Sequence, residues 1–292
     1  AYFMKEPLMR ASCYINWYEN MLDSGTVKPQ QVLTNCLQSL KHEPNELSLN
    51  ILLDQLQSVY WRFLPESFRT ELSSSIGQYF GPALQEVEGN NQKKLLFRAY
   101  SNMIIERSGL NWLNQIWKDR QPPEGVILTE DDYTNLAAAL AIRNFPGSQL
   151  ILQEQISRIP NKDRQDRLRF LLPALSNDTT ERDRFFASLQ SPEARRKEAW
   201  VLTALGYLHY PLRAASAEKY LQPSLDWLED IQRTGDVFFP QSWLQASFGW
   251  CRTESEIKIV RNFLEKHPDY NPKLKAKILQ ATDMLFRTER VH

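Results

Sequence analysis

A few stretches of this 292-residue sequence hold residues of the kind that perform chemistry. His42-Glu43-Pro44-Asn45-Glu46 begins like HExxH, in which two histidines one helical turn apart hold zinc and the glutamate acts as general base. Here Glu46 stands where the second histidine belongs and a proline interrupts the turn. The stretch therefore reads as a helix C-terminus, where Lys41 and His42 suit the negative end of the dipole. Glu130-Asp131-Asp132 offers paired carboxylates, but an acidic first helical turn after Thr129 accounts for them. Arg167-Leu-Arg169 and Arg182-Asp-Arg184 could form a basic lining for a carboxylate, and read more plainly as solvated charges or intrahelical pairs.

The other chemical signatures are missing from the sequence. The ten glycines form no GxSxG, GxGxxG or GxxxxGK, and Gly77-Gln-Tyr-Phe-Gly81 reads as close helix packing or as a helix stop before Pro82. His209, His267 and His292 have no His or Cys partner at ligand spacing, and Cys13, Cys36 and Cys251 read as buried thiols. The sequence thus assigns no catalytic, cofactor-binding or metal-binding residue, and no cofactor to this chain.

Composition narrows the partners. The 35 basic and 35 acidic residues are interspersed, which argues against the concentrated positive charge that nucleic acid requires. The longest apolar run, Leu136 to Ile142, is far below the roughly 18 residues of a membrane span. With 42% apolar residues, the chain is expected to be globular with a substantial core.

The elements that would position any site read as helices throughout. Leu49, Leu52, Leu53, Leu56, Val59, Tyr60 and Phe63 recur at three and four positions, and this pattern predicts one apolar helical face. Thr129, Ser191-Pro192, the capping box Thr253-Glu-Ser-Glu256 and Asn271-Pro272 mark helix starts. The spacing predicts helices near 7–23, 28–42, 46–64, 65–87, 91–107, 109–119, 129–143, 146–158, 161–174, 179–189, 192–208, 214–233, 240–251, 253–266 and 271–287. Such short helices with brief turns predict an all-α fold: an irregular HEAT/armadillo-like α-α superhelix of antiparallel hairpins. One α-solenoid domain is expected over 1–292, with an internal joint near 118–126, where Lys118-Asp-Arg-Gln-Pro-Pro-Glu-Gly125 is polar and proline-rich.

Several longer phrases resemble a known family. They are Arg164-Gln-Asp-Arg-Leu-Arg-Phe-Leu-Leu-Pro-Ala-Leu-Ser-Asn-Asp178, Phe186-Ala-Ser-Leu189, Glu198-Ala-Trp-Val201, Leu208-His-Tyr-Pro-Leu-Arg213 and Leu279-Gln-Ala-Thr-Asp-Met-Leu-Phe-Arg287. With Tyr60-Trp-Arg-Phe-Leu-Pro-Glu-Ser-Phe-Arg69 nearer the N-terminus, they resemble the C-terminal helical domain of M1-family, aminopeptidase N-like zinc aminopeptidases. The resemblance implies a noncatalytic cap that encloses the active-site cleft and shapes peptide access. Its partners would be the catalytic domain of the same polypeptide, which would carry the zinc, and peptide substrates. Neither GxMEN nor HExxH occurs in the sequence, so the resemblance implies no hydrolysis by this chain alone. Arg143, Arg213 and Arg287 are conceivable contacts for a substrate carboxylate under the same resemblance. The alternative is a free-standing α-solenoid scaffold for partner proteins.

Arg233-Thr-Gly-Asp-Val-Phe-Phe-Pro-Gln-Ser-Trp-Leu244 reads as a corner between two helices. Arg233 ends one helix, Gly235 takes the left-handed position beyond it, Val237 to Phe239 clamp the turn, and Pro240 starts the next helix with Trp243 and Leu244 facing inward.

Overall fold

A computed structural model of the chain describes residues 4–291. Among these residues the secondary structure is helical, with no strand, in agreement with the predicted all-α class. The described residues divide into two compact units, residues 4–140 with 290–291, and residues 141–289. The division falls inside a helix, Glu130–Ile142, and the proline-rich stretch 118–125 lies within the first unit.

The first unit holds α1 (Pro7–Ser24), α2 (Pro29–Ser39), α3 (Glu46–Ser58), α4 (Glu66–Ser75), α5 (Gly77–Glu86), α6 (Asn90–Met103), α7 (Arg107–Asp119) and most of α8 (Glu130–Ile142). Packing runs between near neighbours: α1 lies on α2 and α3, α3 on α6, and α5 on α4 and α6. This is the pattern of stacked helical hairpins, each covering the apolar stripe of the next. The stripe predicted for α3 is buried: Leu49, Leu52, Leu53, Leu56, Val59, Tyr60 and Phe63 are all in the core.

The second unit holds α9 (Ser148–Arg158), α10 (Lys162–Leu175), α11 (Thr179–Ser188), α12 (Glu198–Leu208), α13 (Ala214–Ala217), α14 (Leu221–Asp226), α15 (Leu228–Thr234), α16 (Phe239–Phe248), α17 (Glu254–Lys266), α18 (Pro272–Ala281) and most of α19 (Asp283–Val291). Here α10 packs on α9, α11 and α12, while α16 packs on α12, α14, α15 and α18. The predicted caps form: Thr253 and Glu256 exchange their hydrogen bonds, and Asn271 accepts from the amides of Lys273 and Leu274.

The predicted helices differ from the observed ones where side chains compete for backbone groups. The helix expected over 65–87 breaks at Ile76, where the hydroxyls of Ser74 and Ser75 donate to the carbonyls of Glu71 and Leu72 at 2.7 and 3.1 Å. The 271–287 helix breaks at Thr282, whose hydroxyl donates to the Ile278 carbonyl at 2.8 Å. The 214–233 helix divides into short segments around Pro223, which has no N–H to give. The 46–64 helix ends in a π-helical turn, Val59–Phe63, that buries Tyr60, Trp61 and Phe63 together.

Ser191-Pro192 is not a helix start. Residues 192–197 are turns, and α12 begins at Glu198. The cause is Arg195, a buried residue whose guanidinium reaches back to the carbonyls of Leu189 and Gln190 at 2.9 and 2.8 Å. It also holds Asp230 and Thr234 of α15.

Candidate functional site

Most of the residues with chemical potential are used internally. Glu43 is buried, and both its oxygens accept from Arg10 at 2.9 Å, with Tyr14 donating at 3.0 Å and the Asn45 amide at 3.1 Å. It anchors α1 to the turn after α2, so the imitation of HExxH is structural. The three carboxylates at the start of α8 go separate ways. Glu130 pairs with Arg120, Asp131 is exposed, and Asp132 is buried. Asp132 accepts from Lys94, Arg98 and Thr129. Burial pushes its carboxyl up, but these hydrogen bonds outweigh burial and hold it well below the usual carboxylate range.

Buried arginines hold backbone carbonyls, most of them at helix C-termini. Arg213 donates to the carbonyls of Ala174, Leu175 and Ser176 at 2.6, 3.1 and 3.2 Å, and Arg182 shares the Ser176 carbonyl at 2.7 Å. Arg69 donates to the Leu64 carbonyl, and Arg10 to those of Met4 and Lys5 at 2.8 Å. Each guanidinium thus satisfies carbonyls that a helix end leaves orphaned, or holds a neighbouring chain reversal. In Arg10, Arg69, Arg182 and Arg195 the arginine follows its acceptors by five or six residues, a spacing that sequence reading could have used.

The arginines considered as carboxylate contacts are accordingly engaged. Arg213 is buried and faces carbonyls, Arg143 donates to the Tyr210 hydroxyl at 3.1 Å, and Arg287 pairs with Asp283 at 2.8 Å. Arg167 donates to Thr203, Arg169 pairs with Asp166, and Arg184 is exposed. His209 is buried with its ring edge-on to Tyr220, and burial pushes it down to about 3. His267 bonds the Phe263 carbonyl, and His292 lies outside the described residues. Among the described residues no group of three His, Cys, Asp or Glu side chains is placed to hold a metal, and no helix is long and apolar enough to cross a membrane.

The corner at 233–244 departs from its reading in two ways. Gly235 is extended, with φ −107° and ψ 179°, so a left-handed turn is not why glycine stands there. Crowding is: a Cβ would lie 2.6 Å from Phe239 Cδ1 and 3.0 Å from both Glu198 Oε1 and the Ile231 carbonyl. Val237 and Phe238 do not clamp the turn but project outward, 71% and 75% exposed. Phe239, Trp243 and Leu244 are buried as predicted, and the Trp243 indole donates to the Ser224 carbonyl at 3.2 Å. Gly235→Ala is expected to cost about 2 kcal/mol in urea unfolding, as overpacking does. Phe238→Ser is expected to change stability by less than about 0.5 kcal/mol in the same measurement.

One cavity remains. In the first unit, α5, α6, α7 and the loop after α7 enclose about 600 Å³ lined by Gly77, Phe80, Gly81, Tyr100, Trp112 and Lys93, among others. Tyr100 stands edge-on to Phe80 and to Trp112, with ring centroids 5.8 and 5.4 Å apart. Gly77 and Gly81 pack against nothing on the side where a Cβ would sit, so the GxxxG is neither a close helix contact nor a helix stop, and Pro82 lies inside α5. Sequence reading missed this site because its residues come from separate helices. Its one local signal was the pair of glycines.

Compared with known proteins, the chain matches no family model, and no curated protein matches it.

Proposed function

We propose that this chain is a noncatalytic C-terminal capping domain of an M1-type zinc aminopeptidase, enclosing the active-site cleft and shaping which peptides reach it. The observation that carries the reading is a set of large apolar residues on α1 that are exposed among the described residues. Leu8 is 81% exposed, and Ile15, two turns further along the same face, is also exposed, as are Met9 and Trp17. Large apolar side chains left exposed in this number on one helix suit a protein contact surface. The catalytic domain is the occupant that the family wording supplies. Zinc there would polarise the peptide carbonyl and activate water. This chain would contribute enclosure and positioning, which suit helices whose ends are tied by buried arginines. The exposed Val237-Phe238 edge supports the alternative reading, a scaffold that holds a partner protein through the second unit.

The association is testable with the catalytic domain expressed separately. The two proteins are expected to co-sediment, and Leu8→Glu with Ile15→Glu is expected to weaken binding at least about tenfold while helicity is unchanged. A catalytic domain that ignores the chain, or that binds the double variant as tightly, contradicts the reading.

A further inference from the structure

We propose that the cavity between α5, α6 and α7 binds a small planar aromatic carboxylate. The proposal does not rest on the capping role. The volume, about 600 Å³, lies within the range of small-molecule sites, and the walls have the composition of such sites: aromatic and apolar, with a few polar groups. Phe80 and Tyr100 belong to the core, whereas Trp112 is 39% exposed and so offers ring surface at the cavity. Gly77 and Gly81 leave one wall as bare helix backbone, against which a flat ring can lie without meeting a side chain.

The polar groups set the sign of the ligand. Lys93 carries three donors, and among the described residues its ammonium makes one hydrogen bond, a long one of 3.4 Å to the carbonyl of Glu124. Its stem is held over Gly125, whose left-handed turn (φ 76°) leaves room for it: a Cβ there would lie 2.8 Å from Lys93 Cδ. The Tyr100 hydroxyl makes no hydrogen bond among the described residues and stands beside Gly109, on which a Cβ would lie 2.7 Å from it. The one carboxylate of the lining, Glu124, is on an exposed residue of the loop. An aromatic cage for a cation would be opposed by the Lys93 ammonium. An anion on a ring answers the Lys93 ammonium.

Calorimetric titration of the full chain with indole-3-acetate tests this, with indole-3-acetamide and tryptamine as the neutral and cationic arms. The expected result is saturable one-to-one binding of the acetate, at least about tenfold tighter than the acetamide, with no binding of tryptamine. Gly81→Leu fills the empty wall and is expected to abolish binding with far-UV circular dichroism unchanged. Lys93→Met is expected to weaken the acetate about tenfold and to remove its advantage over the acetamide. If Gly81→Leu does not fold, Lys93→Met decides alone. No saturable binding, a preference for tryptamine, or indifference to Lys93→Met overturns the proposal.

Discussion

Lowering the pH from 7 to 5 is expected to destabilise the second unit by about 2 kcal/mol through His209 alone. The ring is buried, and burial pushes its pKa down to about 3, against an unfolded value of about 6.5. Above pH 6.5 the imidazole is neutral in both states, and its contribution to stability is fully present. As pH falls below 6.5, the unfolded chain takes up a proton that the folded chain refuses, so stability is lost progressively toward pH 3. The Nε2 atom makes no hydrogen bond among the described residues, so an apolar side chain of similar size sacrifices no partner. His209→Leu is therefore expected to match the parent near pH 7 and to surpass it by about 2 kcal/mol at pH 5 in urea unfolding. Parallel pH profiles for the two proteins would show that His209 is not held neutral by the fold.

Arg213→Met is expected to cost about 3–5 kcal/mol, more than any surface substitution in the chain. Burial, the proximity of Arg182 and a smaller opposing effect of Tyr220 bring the Arg213 guanidinium down to about 10, so it remains charged at neutral pH. Its partners are the final carbonyls of α10, at the negative end of that helix. Methionine replaces the length of the side chain but leaves the Ala174 and Leu175 carbonyls buried without this donor. Arg182 still reaches the Ser176 carbonyl, which keeps the loss from extending to the third group. Arg213→Lys is expected to recover only part of the loss, because one ammonium cannot reproduce the spread of the guanidinium fork. A loss below about 1 kcal/mol for the methionine variant would mean that the cost of burying the charge cancels its hydrogen bonds.

The all-helical fold was legible because its signals are local. The caps at Thr253 and Asn271 and the apolar stripe of α3 are written within single turns of helix. The breaks at Ile76 and Thr282 were missed because serine and threonine hydroxyls compete with the backbone without disturbing apolar periodicity. Ser191-Pro192 misled for a different reason. A favourable local start was overridden by Arg195, whose partners on α15 lie 35 and 39 residues away in sequence. Gly235 was correctly marked as special but for the wrong cause, since crowding by Phe239 and Glu198 leaves no trace in the residues beside it. The aromatic cavity was illegible as a site because Gly81, Tyr100 and Trp112 meet only when three helices pack.

The role we propose for this chain is enclosure of a zinc aminopeptidase cleft. Its most direct test is the rate of N-terminal residue release from peptides of increasing length by a separately expressed M1 catalytic domain, with and without this chain. Adding the chain is expected to change the length preference, and Leu8→Glu with Ile15→Glu is expected to remove the change. An identical length profile with and without the chain would contradict it.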